Sequence, residues 1–127
     1  MIELKNIPQI SDAELEVMKV LWELHDSTST QIVEKLAETS EWKPKTIHTL
    51  IARLVGKDAV IAKKIDGKPY MYSPNVNEKD YKIHASKSFL QRLYNGSMNL
   101  MLASYVKEQK LTREEINEFK KLLDEEM

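Results

Sequence analysis

The chain has 127 residues, enough for one compact domain or for a small domain of about 70 residues with a helical extension, and too few for a large enzyme built around a deep enclosed cleft. Its 19 basic and 20 acidic residues leave a formal charge of −1, so no global positive field advertises a polyanionic partner and any basic footprint has to be local. The lack of cysteine removes disulfides, thiolate nucleophiles, iron–sulfur clusters and cysteine-ligated zinc; the N-terminus mixes Glu3, Lys5 and Asp12 into its apolar residues, and no apolar run approaches the ~18 residues of a membrane span, so a cytoplasmic protein without membrane insertion is expected.

Ser11 followed by Glu14 is a capping-box pattern, because a serine hydroxyl and a carboxylate three residues on can each satisfy an N–H at a helix start. Leu15, Met18, Leu21 and Trp22 then recur at helical spacing while Glu16, Lys19 and Glu23 stay on the wet side, which predicts a first helix over about 12–25. The polar run 25–30 is full of cap formers, and Ile32, Val33 and Leu36 predict a short second helix over roughly 30–39. Pro44 suits the first position of a third helix, 44–56, whose Ile47, Leu50, Ile51 and Leu54 line one face. After Gly56 the period shortens towards two, and residues 59–65 and 68–73 flank Asp66-Gly67, a turn dipeptide that tolerates positive φ at both positions. Three helices and a hairpin predict a winged helix-turn-helix over 1–74, with the wing at 60–73.

The turn-rich stretch 73–77 marks a boundary, and a helical unit over 75–127 follows. Tyr81, Ala85, Phe89 and Leu93 share a stripe that stops near Asn95-Gly96, and Met98, Met101, Leu102 and Tyr105 mark a second helix. Thr112 with Glu115 forms another capping box ahead of Ile116, Phe119, Leu122 and Leu123. Three amphipathic helices in so short a tail are hard put to bury their apolar faces alone, so these stripes are expected to pair with a second copy. The fold class is therefore mostly α: an N-terminal winged helix followed by a C-terminal helical dimerisation domain.

Charge placement points to a function. From Trp42 to Ser73 there are seven basic residues (Lys43, Lys45, Arg53, Lys57, Lys63, Lys64, Lys68) against two acidic ones, whereas residues 1–41 carry three basic and nine acidic. Positive charge thus gathers on the third helix and the hairpin, the two parts a winged helix presents to a duplex. With its apolar face buried, the third helix has to show Lys45, Thr46, His48, Thr49, Ala52 and Arg53. Lys45, Thr46, Thr49 and Arg53 are the base-reading candidates, with His48 beside them, since arginine reads guanine edges bidentately and threonine offers a hydroxyl and a methyl. Lys43, Ser29 and Thr30, near helix N-termini, are candidates for phosphate, and Lys63, Lys64 and Lys68 on the wing for sequence-independent attraction, with Tyr70 expected to pack beside them. The alternative is a winged-helix module that binds a protein through the same face without duplex preference.

Other chemistries find little support. His25, His48 and His84 form no pair at helical spacing, the acidic ends Glu114-Glu115 and Glu125-Glu126 read as solvated faces, and no metal or cofactor is expected. No glycine-rich phosphate loop or recognisable catalytic motif is present, so an enzyme is not expected. Met98 and Met101 read as core or interface filling.

The segments WKPKTIHTLIARL (42–54), ISDAELEVMKVLW (10–22) and SKSFLQRLYNGSMNLMLASYV (86–106) resemble the penicillinase-repressor family, the BlaI/MecI group to which CopY-type copper repressors are related. The resemblance implies a homodimer on double-stranded dyad operators, with the positions of Lys45, Thr46, Thr49 and Arg53 in the recognition helix. At His48 the methicillin-type members tend to carry arginine. The copper branch senses metal through paired cysteines that this chain lacks. The β-lactam branch is inactivated by cleavage at an Asn-Phe bond, which aligns with Ser104-Tyr105 and implies a membrane sensor-protease as a further partner; here the asparagine is replaced by serine.

Overall fold

The computed structural model describes residues 6–127, so Glu3 and Lys5 lie outside the described residues. Its elements run α1 (Asp12–Leu24), α2 (Ser29–Leu36), α3 (Pro44–Gly56), β1 (Val60–Lys63), β2 (Met71–Pro74), α4 (Glu78–Tyr94), α5 (Met98–Lys107) and α6 (Arg113–Glu126). This is the expected mostly helical chain with a two-stranded antiparallel wing.

Helix starts follow side-chain chemistry. At α1 the Ser11 hydroxyl accepts from the Glu14 N–H at 3.1 Å while the Glu14 carboxylate accepts from the Ser11 N–H at 2.9 Å. A box missed in the sequence opens α2: Thr28 is the N-cap and exchanges the same pair of bonds with Gln31, so the helix begins at Ser29 and ends at Leu36, earlier than expected at both ends. Helix α1 stops at Leu24 because His25 turns to φ 64°.

Val17, Met18 and Leu21 of α1, Ile32 and Leu36 of α2, and Ile47, Leu50, Ile51 and Leu54 of α3 close on one another, with Ala59, Val60 and Val76 completing the core. Fully burying a leucine or isoleucine contributes roughly 1.5–3 kcal/mol, so this cluster fixes the outward face of α3 as firmly as its inward one.

The wing is shorter in strand than expected. Its register is Val60↔Pro74, Ile61↔Ser73, Ala62↔Tyr72 and Lys63↔Met71, which leaves Lys64 and Lys68 in the connecting loop. Lys68 N–H donates to the Ile65 carbonyl at 3.0 Å across a four-residue turn. Only Gly67 adopts positive φ, at 75°, as the third position of a type II turn requires; Asp66 does not, so the paired positive-φ geometry expected of Asp66-Gly67 is absent.

One ion pair locks α1 to the end of α3. Glu14 is 2% exposed, and Lys57 Nζ stands 2.6 Å from its Oε1 and 2.9 Å from the Gln9 carbonyl. Burial pushes the Glu14 carboxyl up, but the Lys57 ammonium and the Ser11 bonds outweigh it and hold the group below its ordinary value of 4.5. That stabilisation is present above pH 4.5 and is lost as the pH falls below it and the carboxylate takes up a proton. Lys57→Met is expected to cost about 1–2 kcal/mol at neutral pH, less than for a fully buried pair because the lysine is partly solvated. Denaturant titrations at pH 7 and well below pH 4.5 should show the gap between variant and wild type closing in acid; a gap that persists unchanged would contradict this account of the pair.

The chain divides into two units, Met1–His84 and Ala85–Met127, with the division inside α4. The first turns of α4 belong to unit 1: Trp22 Nε1 donates to the Val76 carbonyl at 2.8 Å, and the Trp22 and Tyr81 ring centroids are 5.7 Å apart. Unit 2 holds the rest of α4, then α5, capped by Ser97 accepting from the Leu100 N–H, and α6, opened by the Thr112–Glu115 capping box.

Candidate nucleic-acid interface

Helix α3 presents two faces of opposite character. Ile47, Leu50, Ile51 and Leu54 are at most 4% exposed, while Lys45, Thr46, His48, Thr49, Ala52 and Arg53 are all exposed. Pro44 at the first position supplies a pre-set φ, and Lys43 precedes it as N-cap without a side-chain cap bond. The Thr49 hydroxyl donates to the Lys45 carbonyl at 3.0 Å, so its proton is committed to the helix. Towards a duplex it therefore offers lone pairs and a methyl, which suits a base amino donor or a thymine methyl. Arg53 sits in the last turn, and because helical side chains lean towards the N-terminus, its guanidinium reaches back over the same face.

Ser29 and Thr30 occupy the first two positions of α2, Ser29 half-buried and Thr30 exposed. On the wing, Lys63, Lys64 and Lys68 are exposed. Among the described residues none of Lys43, Lys45, Arg53, Lys63, Lys64 and Lys68 forms an ion pair, in contrast to Lys35, which bridges Glu23 and Glu38. Lys57, counted with the basic cluster in the sequence, is drawn into the Glu14 pair. The surface thus holds uncompensated cations where α3 and the wing stand side by side.

Ser27 and Tyr72, which sequence reasoning did not assign, tie these parts together with Tyr70. Ser27, 1% exposed and just before α2, exchanges backbone bonds with Tyr72 of β2: its N–H donates to the Tyr72 carbonyl at 2.9 Å and its carbonyl accepts from the Tyr72 N–H at 2.7 Å. Tyr70 stacks on Tyr72 with centroids 6.3 Å apart, and its ring lies 4.9 Å from Lys64 Nζ. Between α3 and the wing runs an open cleft of about 520 Å³, lined by Ile51, Ala52, Val55 and Ala62 together with Ser29, His48, Tyr70 and Tyr72. Among the described residues no group of histidines and carboxylates is arranged to hold a metal ion, and no helix is long and apolar enough to cross a membrane.

In unit 2, α5 and α6 bury no residue. Phe89, Leu93, Met98, Tyr105, Phe119, Leu122 and Leu123 are exposed, and Met101, Leu102 and Ile116 half-buried, so the predicted stripes lie open. Tyr81, placed with them in the sequence, packs instead on Trp22 in unit 1, where burial and the Asp12 carboxylate push its phenol up. Ser104 and Tyr105 lie inside α5, with the Ser104 hydroxyl donating to the Met101 carbonyl at 2.7 Å.

Comparison with known proteins gives a consistent set of relatives. A family profile described as penicillinase repressor matches residues 10–125. The penicillinase repressor of Bacillus licheniformis is 45% identical over 122 residues, 96% of this chain and 94% of that one. The methicillin resistance regulatory protein MecI of Staphylococcus aureus (strain N315) is 36% identical over 116 residues, 91% of this chain and 94% of that one. The solution structure of monomeric Bacillus licheniformis BlaI in complex with the blaP half-operator is similar with a TM-score of 0.52 and 48% identity, covering 59% of this chain and 90% of that one.

Proposed function

The chain belongs to the penicillinase repressor family of DNA-binding transcriptional regulators, which are not enzymes, and from that premise we propose that it represses as a homodimer seated on a dyad operator. Unit 2 supplies the pairing, through the open stripes of α4, α5 and α6, and each copy of unit 1 lays α3 in a major groove. Lys45, Thr46, Thr49 and Arg53 read base edges with His48 at their side, and Lys43, Ser29, Thr30, Lys63, Lys64 and Lys68 hold phosphates. The observation that carries this reading is the row of unpaired cations beside an exposed, hydroxyl-bearing α3 face.

Its place of action is the cytoplasm, where operator DNA is. Release by a membrane sensor-protease cutting at Ser104–Tyr105 requires α5 to unwind first, because a protease takes its substrate extended and this bond is helical.

A gel-shift of the full chain on its own promoter fragment tests the reading. Six to ten phosphate contacts predict a loss of affinity of roughly 10³–10⁵-fold between about 50 and 200 mM salt, with promoter preferred over unrelated duplex throughout. Salt-independent retention, or no preference between duplexes, would favour a protein-interaction module instead.

A further inference from the structure

We infer that Tyr70 is a positioning residue for DNA binding, holding the Lys64 ammonium against the sugar–phosphate strand that lies in the cleft between α3 and the wing; this rests on the operator-binding reading above. The wing loop 64–70 has little of its own to order it beyond the Lys68–Ile65 backbone bond. A lysine on such a loop samples many positions, and each ordering of its stem has an entropic cost when phosphate binds. Here an unbroken path of contacts runs from the core to the charge. Buried Ser27 clamps the Tyr72 backbone through two hydrogen bonds, Tyr72 stacks with Tyr70 at an interplanar angle of 28°, and the Tyr70 ring faces Lys64 Nζ at 4.9 Å. The strand register explains the last contact, since one step beyond the Lys63↔Met71 pair lies Lys64 opposite Tyr70.

The occupant of the cleft follows from charge and shape. None of its lining residues is acidic, Lys45 and Arg53 flank it on α3, and the wing lysines flank it on the other side. Among its lining residues Ala52, Ala62 and Val55 offer apolar surface to a deoxyribose, and Ser29 offers a hydroxyl to a phosphate oxygen. Tyr70 remains 45% exposed although it is aromatic, as a residue with a partner still to come would be.

The test compares wild type, Tyr70→Phe, Tyr70→Ala, Lys64→Met and the Tyr70→Ala/Lys64→Met double variant, all in the full chain, on the promoter fragment and on an unrelated duplex over a range of salt. Tyr70→Phe keeps the ring and should bind as wild type does. Tyr70→Ala should weaken both duplexes by a similar factor of roughly three to ten, and flatten the dependence of log K on log salt by up to about 1.8, the share of two phosphate contacts, one from each copy. The double variant should bind no more weakly than Lys64→Met alone. An unchanged salt slope for Tyr70→Ala, or additive losses in the double variant, overturns the inference while operator binding stands. Wild-type protein that binds neither duplex overturns both.

Discussion

Arg53→Ala is expected to lower affinity for the operator by about 30- to 10⁴-fold while leaving affinity for unrelated duplex nearly unchanged, so that discrimination collapses. The magnitude follows from the loss of two bidentate base contacts, one in each half-site, each worth about 1–3 kcal/mol. The direction follows from its placement: Arg53 is exposed, belongs to no ion pair among the described residues, and shares the outward face of α3 with Lys45, Thr46 and Thr49. Its alanine variant should fold normally, because the buried face of the helix is untouched. Competition binding of variant and wild type on promoter and scrambled duplexes reads the ratio. An equal loss on both duplexes would move Arg53 from base reading to phosphate contact.

The second large effect concerns unit 2. Replacing Leu93 and Phe119 together by aspartate is expected to yield a monomer that loses roughly 10²–10⁴-fold in affinity for the full dyad yet binds a single half-site as wild type does. Joining two reading heads makes the second binding event intramolecular, and that gain disappears when the heads separate. Leu93 is 63% exposed and Phe119 42% exposed, and α5 and α6 bury no residue within the single chain. Carboxylates at these positions would cost a lone chain little and a paired one much. Sedimentation together with half-site and full-site titrations separates the outcomes; a double variant that remains dimeric would place the pairing surface elsewhere.

Local physics made much of this legible in the residues. Capping pairs and Pro44 marked where α1, α3 and α6 begin, and the spacing of Ile47, Leu50, Ile51 and Leu54 divided α3 into its inner and outer faces. The Thr28–Gln31 box carried the same signal and was overlooked in a run crowded with hydroxyls. What escaped was non-local. The Ser27–Tyr72 bridge joins backbone groups that no side-chain pattern announces, and the Lys57–Glu14 pair spans 43 positions, so a cation counted for DNA turned inward. Tyr81 fitted a stripe in unit 2, but Trp22 offered it a partner in unit 1. Tyr70 reads from the sequence as a companion of the wing lysines, and the strand register singles out Lys64 as the one its ring faces.

Whether the outward face of α3 meets base edges in duplicate is tested most directly by a footprint of the promoter with the full chain. Protection of two matching half-sites, centred a whole number of helical turns apart and lost at both when Arg53 is replaced by alanine, is the predicted result. Protection spread evenly along the fragment, or a two-part footprint indifferent to Arg53, would contradict it.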